Sequence, residues 1–165
     1  MKALALATSL SIVSVSPALA CDPSDWPLHQ AFEGEWQSSG NAFGQPASSH
    51  MRWTPVMDGC FWQIEYSIET NPGTDDADTF RGRGVHIAAN GVIEGSWIDN
   101  MAVIHRLRGT INEIELMVYW GEPDETLGRS RYTALENGGI QVTDWILTDD
   151  GWQTFNDNRF ERVGP

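Results

Sequence analysis

The chain has 165 residues, with 23 Asp and Glu against ten Lys and Arg and a formal net charge of −13. A field of that sign repels nucleic acid and anionic lipid headgroups, so neither is an expected partner. The one lysine is Lys2, at the extreme start, which leaves no lysine for Schiff-base chemistry once a leader is cleaved.

Met1-Lys2 is a short positive start, Ala3 to Val15 is an apolar run diluted by Ser and Thr, and Pro17-Ala18-Leu19-Ala20 supplies small residues at the positions a signal peptidase reads. Residues 1–20 are therefore expected to be a signal peptide cleaved after Ala20, leaving 21–165 as a single domain that is periplasmic or secreted. The apolar run is too short to span a bilayer, and nothing later reaches about 18 consecutive apolar residues. Two readings of Cys21 exclude each other. In an oxidising exterior, Cys21 and Cys60 would form a disulfide closing a loop of about 39 residues, worth roughly 4 kcal/mol by chain entropy. A lipid on Cys21 would instead make the protein a lipoprotein and leave Cys60 as a lone thiol, although the lipobox prefers Leu where Ala18 stands.

Asp22 to Phe32 is a lead-in with Pro23 and Pro27 and one short helical turn over 28–32. Strand signals then recur near 34–40, 47–55, 60–70, 78–88, 92–99, 102–109, 111–120, 127–136, 139–148 and 152–162, separated by turn residues. In the third, Trp62, Ile64, Tyr66 and Ile68 alternate with Gln63, Glu65, Ser67 and Glu69; in the seventh, Ile114, Leu116, Val118 and Trp120 stand opposite Glu113 and Glu115. Ala89-Asn90-Gly91, Glu136-Asn137-Gly138-Gly139 and Thr148-Asp149-Asp150-Gly151 carry hairpin-turn chemistry. Residues 71–78 form a longer acidic loop. No segment after the lead-in keeps a sustained 3.6-residue period. About ten hairpin-linked strands must hide their edges, so the expected fold is an all-β, antiparallel up-and-down barrel with a short N-terminal helical turn. Gly82, Gly84 and Gly95 within strands imply sharp bends or large rings leaning on the backbone.

Phe32-Glu33-Gly34-Glu35-Trp36 resembles the Gly-x-Trp opening of calycin-type barrels such as lipocalins, in which that Trp closes the barrel base. Phe80-Arg81-Gly82-Arg83-Gly84 followed by Gly95-Ser96-Trp97-Ile98-Asp99 is similar to a mostly uncharacterised bacterial family distantly grouped with nitrobindin-like and fatty-acid-binding-protein-like barrels. The resemblance covers roughly residues 28–162. It implies a calycin-like, lipocalin-like barrel whose central cavity holds a small hydrophobic or planar molecule. Nitrobindin-like haem proteins take their iron ligand from a His late in the barrel; the last His here is His105, so no residue inherits that role and no cofactor is expected.

Eight Trp are more than a core of this size needs for volume, and an indole is most useful where an apolar face meets a polar edge. Trp36, Trp62, Trp97, Trp120 and Trp145, with His105 and Arg131, are the candidate ligand contacts. Arg129 and Arg131 share one strand face and would either clamp a carboxylate at the cavity or pair with surface acids. Asp99, Asp144 and His105 are the catalytic candidates: two carboxylates desolvated against indoles could divide acid and base roles, and a His among apolar neighbours could act as base. Each also has an ordinary structural role available, as a turn cap, an ion pair or a hydrogen-bonded core His. His86 is a further candidate. The spacing of His29, His50, His86 and His105 does not suit a metal, and no nucleophile elbow, Walker loop or dinucleotide fingerprint is present. Three functions follow: a barrel binding a small hydrophobic or aromatic ligand in its lumen; a small cofactor-free cyclase, isomerase or hydrolase using lumen Asp and His; or a structural or interaction barrel with a packed interior.

Overall fold

The computed structural model describes residues 26–164. The expected signal peptide over residues 1–20, and Cys21, on which both the disulfide and the lipid readings rest, lie outside the described residues; Cys60 stands in the turn before the third strand. A short helix, α1 (Pro27–Phe32), precedes ten strands: β1 (Gly34–Ala42), β2 (Gln45–Val56), β3 (Phe61–Thr70), β4 (Asp78–Ala89), β5 (Val92–Asp99), β6 (Ile104–Ile111), β7 (Glu115–Glu122), β8 (Glu125–Ala134), β9 (Ile140–Thr148) and β10 (Gly151–Arg162). Each strand pairs antiparallel with its sequence neighbours, and β1 pairs with β10, so the sheet closes into the all-β up-and-down barrel that the alternation implies. Closure leaves no edge strand with unpaired backbone groups. Among the described residues, no helix is long and apolar enough to cross a membrane.

Alternation sets the two faces. In β3, Trp62, Ile64, Tyr66 and Ile68 are buried, as their spacing requires. In β7 the pattern begins later than expected. Asn112 turns the chain by accepting backbone N–H bonds from Ile114 and Glu115 at 2.9 and 2.8 Å, so the strand opens at Glu115 and Ile114 is exposed rather than inward. An Asn side chain that mimics a backbone turn outcompeted one more ladder position. Asn90 and Gly91 adopt φ of 51° and 77°, the left-handed pair a two-residue hairpin needs.

The odd strands run away from α1, which gives the barrel two distinct ends. The base carries α1 and the turns at 57–60, 90–91, 112–114 and 135–139; the mouth carries those at 43–44, 71–77, 100–103, 123–124 and 149–150. At the base, Leu28 and Phe32 of α1 are buried with Trp36, whose indole N–H donates to the Phe32 carbonyl at 2.7 Å. Arg162, on the last strand, lays its guanidinium 4.2 Å over the Trp36 ring and donates to the Ala31 carbonyl at 2.9 Å and to that of Glu33. These bonds occupy carbonyls that a helix end leaves without partners.

Candidate functional site

Between the base and the mouth lies a cavity of about 520 Å³, within the size range of small-molecule sites. Its walls are mostly rings and aliphatic chains, among them Trp53, Tyr66, Phe80, Trp97, Trp120 and Tyr132. The polar members of the lining are His86, Asp99, His105, Ser130 and Asp144, and neither Arg nor Lys lines it. Larger grooves elsewhere are bordered mainly by Ser, His, Glu and Arg side chains and enclose no comparable apolar surface.

Two indoles owe their positions to glycine. A β-carbon at Gly82 would stand 1.9 Å from the Trp97 ring, and one at Gly128 would stand 2.0 Å from the Trp120 ring. Each ring therefore lies against bare backbone on the cavity wall, the use that Gly82 within a strand suggested. Trp97 stacks on Phe80 with centroids 6.3 Å apart, and Trp120 meets the His105 ring at 5.5 Å. The Nδ1 atom of His105 is shielded from solvent and has no hydrogen-bond partner.

A polar cluster is embedded in the wall around Asp144, which is 3% exposed. Asn156 Nδ2 donates to Asp144 Oδ2 at 2.6 Å and to the Tyr66 hydroxyl at 3.0 Å, while its carbonyl accepts from Asn158 Nδ2 at 2.5 Å. Ser130 bonds to the same carboxylate and accepts the Trp120 indole N–H at 3.3 Å. Burial pushes the Asp144 carboxyl up to about 6, against the bonds from Ser130 and Asn156, which favour its charged form. Burial, with the nearby Asp144 charge adding to it, likewise holds the Tyr66 and Tyr132 phenols above their ordinary range. Asn156 reaches this cluster through an irregularity in β10: Thr154 pairs with Trp145 and Asn156 with Asp144, so Phe155 is an extra residue. A bulge reverses the inward–outward alternation of every residue beyond it.

A second buried group sits at the cavity floor. His29 Nε2 lies 2.7 Å from His86 Nε2, and the His29 ring stacks on Trp62 at 5.2 Å and 13°. Burial lowers His29 to about 3, with the neighbouring His86 adding to the effect, and lowers His86 to about 4. The pair is neutral near pH 7, and one nitrogen donates while the other accepts. Their 57-residue separation gave no signal in sequence; only the docking of α1 on the barrel brings them together.

Of the residues singled out in sequence, the structure gathers His86, Trp97, His105, Trp120, Asp99 and Asp144 on one cavity. Asp99 sits at the mouth, where Oδ1 accepts the Met101 N–H at 3.0 Å and Oδ2 the Trp97 indole N–H at 3.3 Å, a turn cap as well as a wall residue. The others are elsewhere. Trp36 is under α1 at the base, and Trp62 is buried against His29 beneath the floor. Trp145 and Arg131 are on the outer wall, because their strand neighbours Asp144, Ser130 and Tyr132 face inward. There the Arg129 guanidinium lies 4.6 Å from the Trp145 ring and 4.4 Å from that of Trp152, and Arg131 lies 5.2 Å from Trp145. The two Arg stack on indoles; they do not line the cavity, and among the described residues they make no ion pair with an acid. Tyr66, Tyr132, Ser130 and Asn156 were not among the expected site residues. Tyr66 was legible as inward-facing, and the others depend on register. Among the described residues no three His, Cys, Asp or Glu side chains gather as metal ligands would. No protein-family model matches the chain, and no curated protein matches it.

Proposed function

We propose that this protein binds a small hydrophobic or aromatic molecule in the lumen of its barrel, in the exported compartment to which its leader directs it. The observation that carries this reading is the aromatic cavity itself, with a compact polar cluster on one wall. A barrel serving only as scaffold or docking surface would gain by filling that space with side chains, because an unfilled apolar void forfeits packing energy. Glycines at 82 and 128 keep the wall thin behind Trp97 and Trp120, which widens the space. The resemblance to calycin-type barrels supports the same use of the lumen.

Tryptophan fluorescence during titration with a broad panel of apolar and aromatic compounds tests this. Trp53, Trp97 and Trp120 line the cavity, so occupancy is expected to quench or shift emission saturably. Flat titrations across the panel would end the proposal.

A catalytic reading has one observation in its favour: Asp99, His105 and Asp144 face a common space. It requires two of them to act on one bound molecule, and among the described contacts no hydrogen bond joins any two of the three. Turnover that is lost equally in His105→Gln and Asp144→Asn would establish it.

A further inference from the structure

The charge distribution says which kind of molecule the lumen suits. Its lining includes two carboxylates, Asp99 near the mouth and Asp144 deeper in, and no Arg or Lys. Every Arg of the described residues lies within a strand, none lines the cavity, and none stands in a mouth turn. The mouth turns instead carry Asp75, Asp76, Asp124, Asp149 and Asp150. A ligand carboxylate would find no countercharge here and would face acids at the entrance and on the wall. A cation would meet the reverse: attraction at the entrance, the aromatic rings of Tyr66, Trp97, Trp120 and Tyr132 in the wall, and a carboxylate held in place by Asn156 and Ser130.

We propose that the lumen is selective for hydrophobic amines, with the ligand's ammonium group paired to the Asp144 carboxylate and its apolar body against the indoles. This rests on the lumen-binding reading above. The Asp144 carboxyl is desolvated and lacks a basic partner among the described residues, and an ammonium ion supplies that partner by a charge-assisted hydrogen bond. Such a bond forms only with the ionised carboxylate. Amine affinity is therefore coupled to proton loss from Asp144, which is held up at about 6 by burial. The titratable groups around it are Tyr66 on β3, Tyr132 on β8 and Asp157 on β10, with His86, Asp99 and His105 elsewhere on the cavity wall.

The test is isothermal titration of the full exported protein with three probes on one frame: 1-naphthylmethylamine, 1-methylnaphthalene and 1-naphthoate. At pH 7.5 the amine is expected to bind roughly tenfold or more tighter than the neutral compound, and the carboxylate more weakly than either. In Asp144→Asn the amine should bind no more tightly than the neutral compound does to the same variant. In the wild type, moving from pH 7.5 to 5 should weaken the amine about tenfold, as the carboxylate takes up its proton, and leave the neutral compound unmoved. His105→Gln should keep that pH effect. A carboxylate that binds as well as the amine, an amine preference that survives Asp144→Asn, or a pH effect abolished by His105→Gln would each overturn the assignment. If Asp144→Asn does not fold, a pH-independent amine affinity in the wild type overturns it alone. Equal binding of amine and neutral compound removes the cation selectivity and leaves lumen binding standing; silence from all three removes both.

Discussion

At the residue scale, the site depends on atoms that are missing as much as on atoms that are present. Gly128 has no side chain, so the Trp120 ring occupies the space a β-carbon would fill, 2.0 Å from its Cζ2. Gly128→Ala is expected to push that indole into the cavity and to cost about 1–3 kcal/mol by overpacking; urea unfolding followed by tryptophan emission measures both. The buried acid and the buried His pair act on stability with opposite signs. His29 and His86 have native pKa values of about 3 and about 4, below the ordinary 6.5, so the unfolded chain binds protons that the native pair resists. Their contribution is whole above about pH 6.5 and is lost as pH falls towards those native values. Asp144 is raised from 3.8 to about 6, so its contribution is whole below the lower value and is lost as pH rises through the upper one. Between pH 4 and 6 the two oppose. Asp144→Asn should therefore show a melting temperature that falls more steeply than wild type on acidification, and His86→Gln one that falls less steeply; thermal melts across that window decide.

At the element scale, α1 is too short to be stable by itself and is held by what it touches. Its buried face contributes Leu28, His29 and Phe32, and Arg162 binds two of the carbonyls at its end. Arg162→Ala is expected to cost about 1–2 kcal/mol, a value reduced because the guanidinium is partly hydrated. Amide exchange should show the effect first at Gln30 and Glu33, whose N–H groups bond to Trp26 and His29, while the strands keep their protection. Strand identity was legible: Trp62, Ile64, Tyr66 and Ile68 could only share a face. Strand boundaries and faces near irregularities were not. Ile114 reads as the start of an alternating run until Asn112 turns the chain. Trp152, Thr154 and Asn156 have one parity in sequence, yet the extra residue Phe155 sends Trp152 outward and Asn156 inward.

For the whole molecule, the chain has a net charge of −13, and the mouth turns of the closed sheet are acidic. Mutual repulsion among these acids is screened by salt, so added sodium chloride should raise the melting temperature. The same screening should slow the association of 1-naphthylmethylamine and leave that of 1-methylnaphthalene unchanged, which stopped-flow fluorescence at two ionic strengths would show.

Alternation and turn chemistry are local, and by themselves they specified ten antiparallel strands, the hairpins between most of them and a sheet with edges to hide. The inward sets of regular strands, such as Trp62 to Ile68, followed from a period of two residues. Which polar groups meet did not, because contacts across the barrel depend on register, bulges and closure, each set by pairing between distant segments. Asp144 with Asn156 across a bulge, His29 with His86 beneath α1, and Trp145 with Arg131 turned to the outside are decisions of the closed sheet, where one added residue reverses every side chain beyond it.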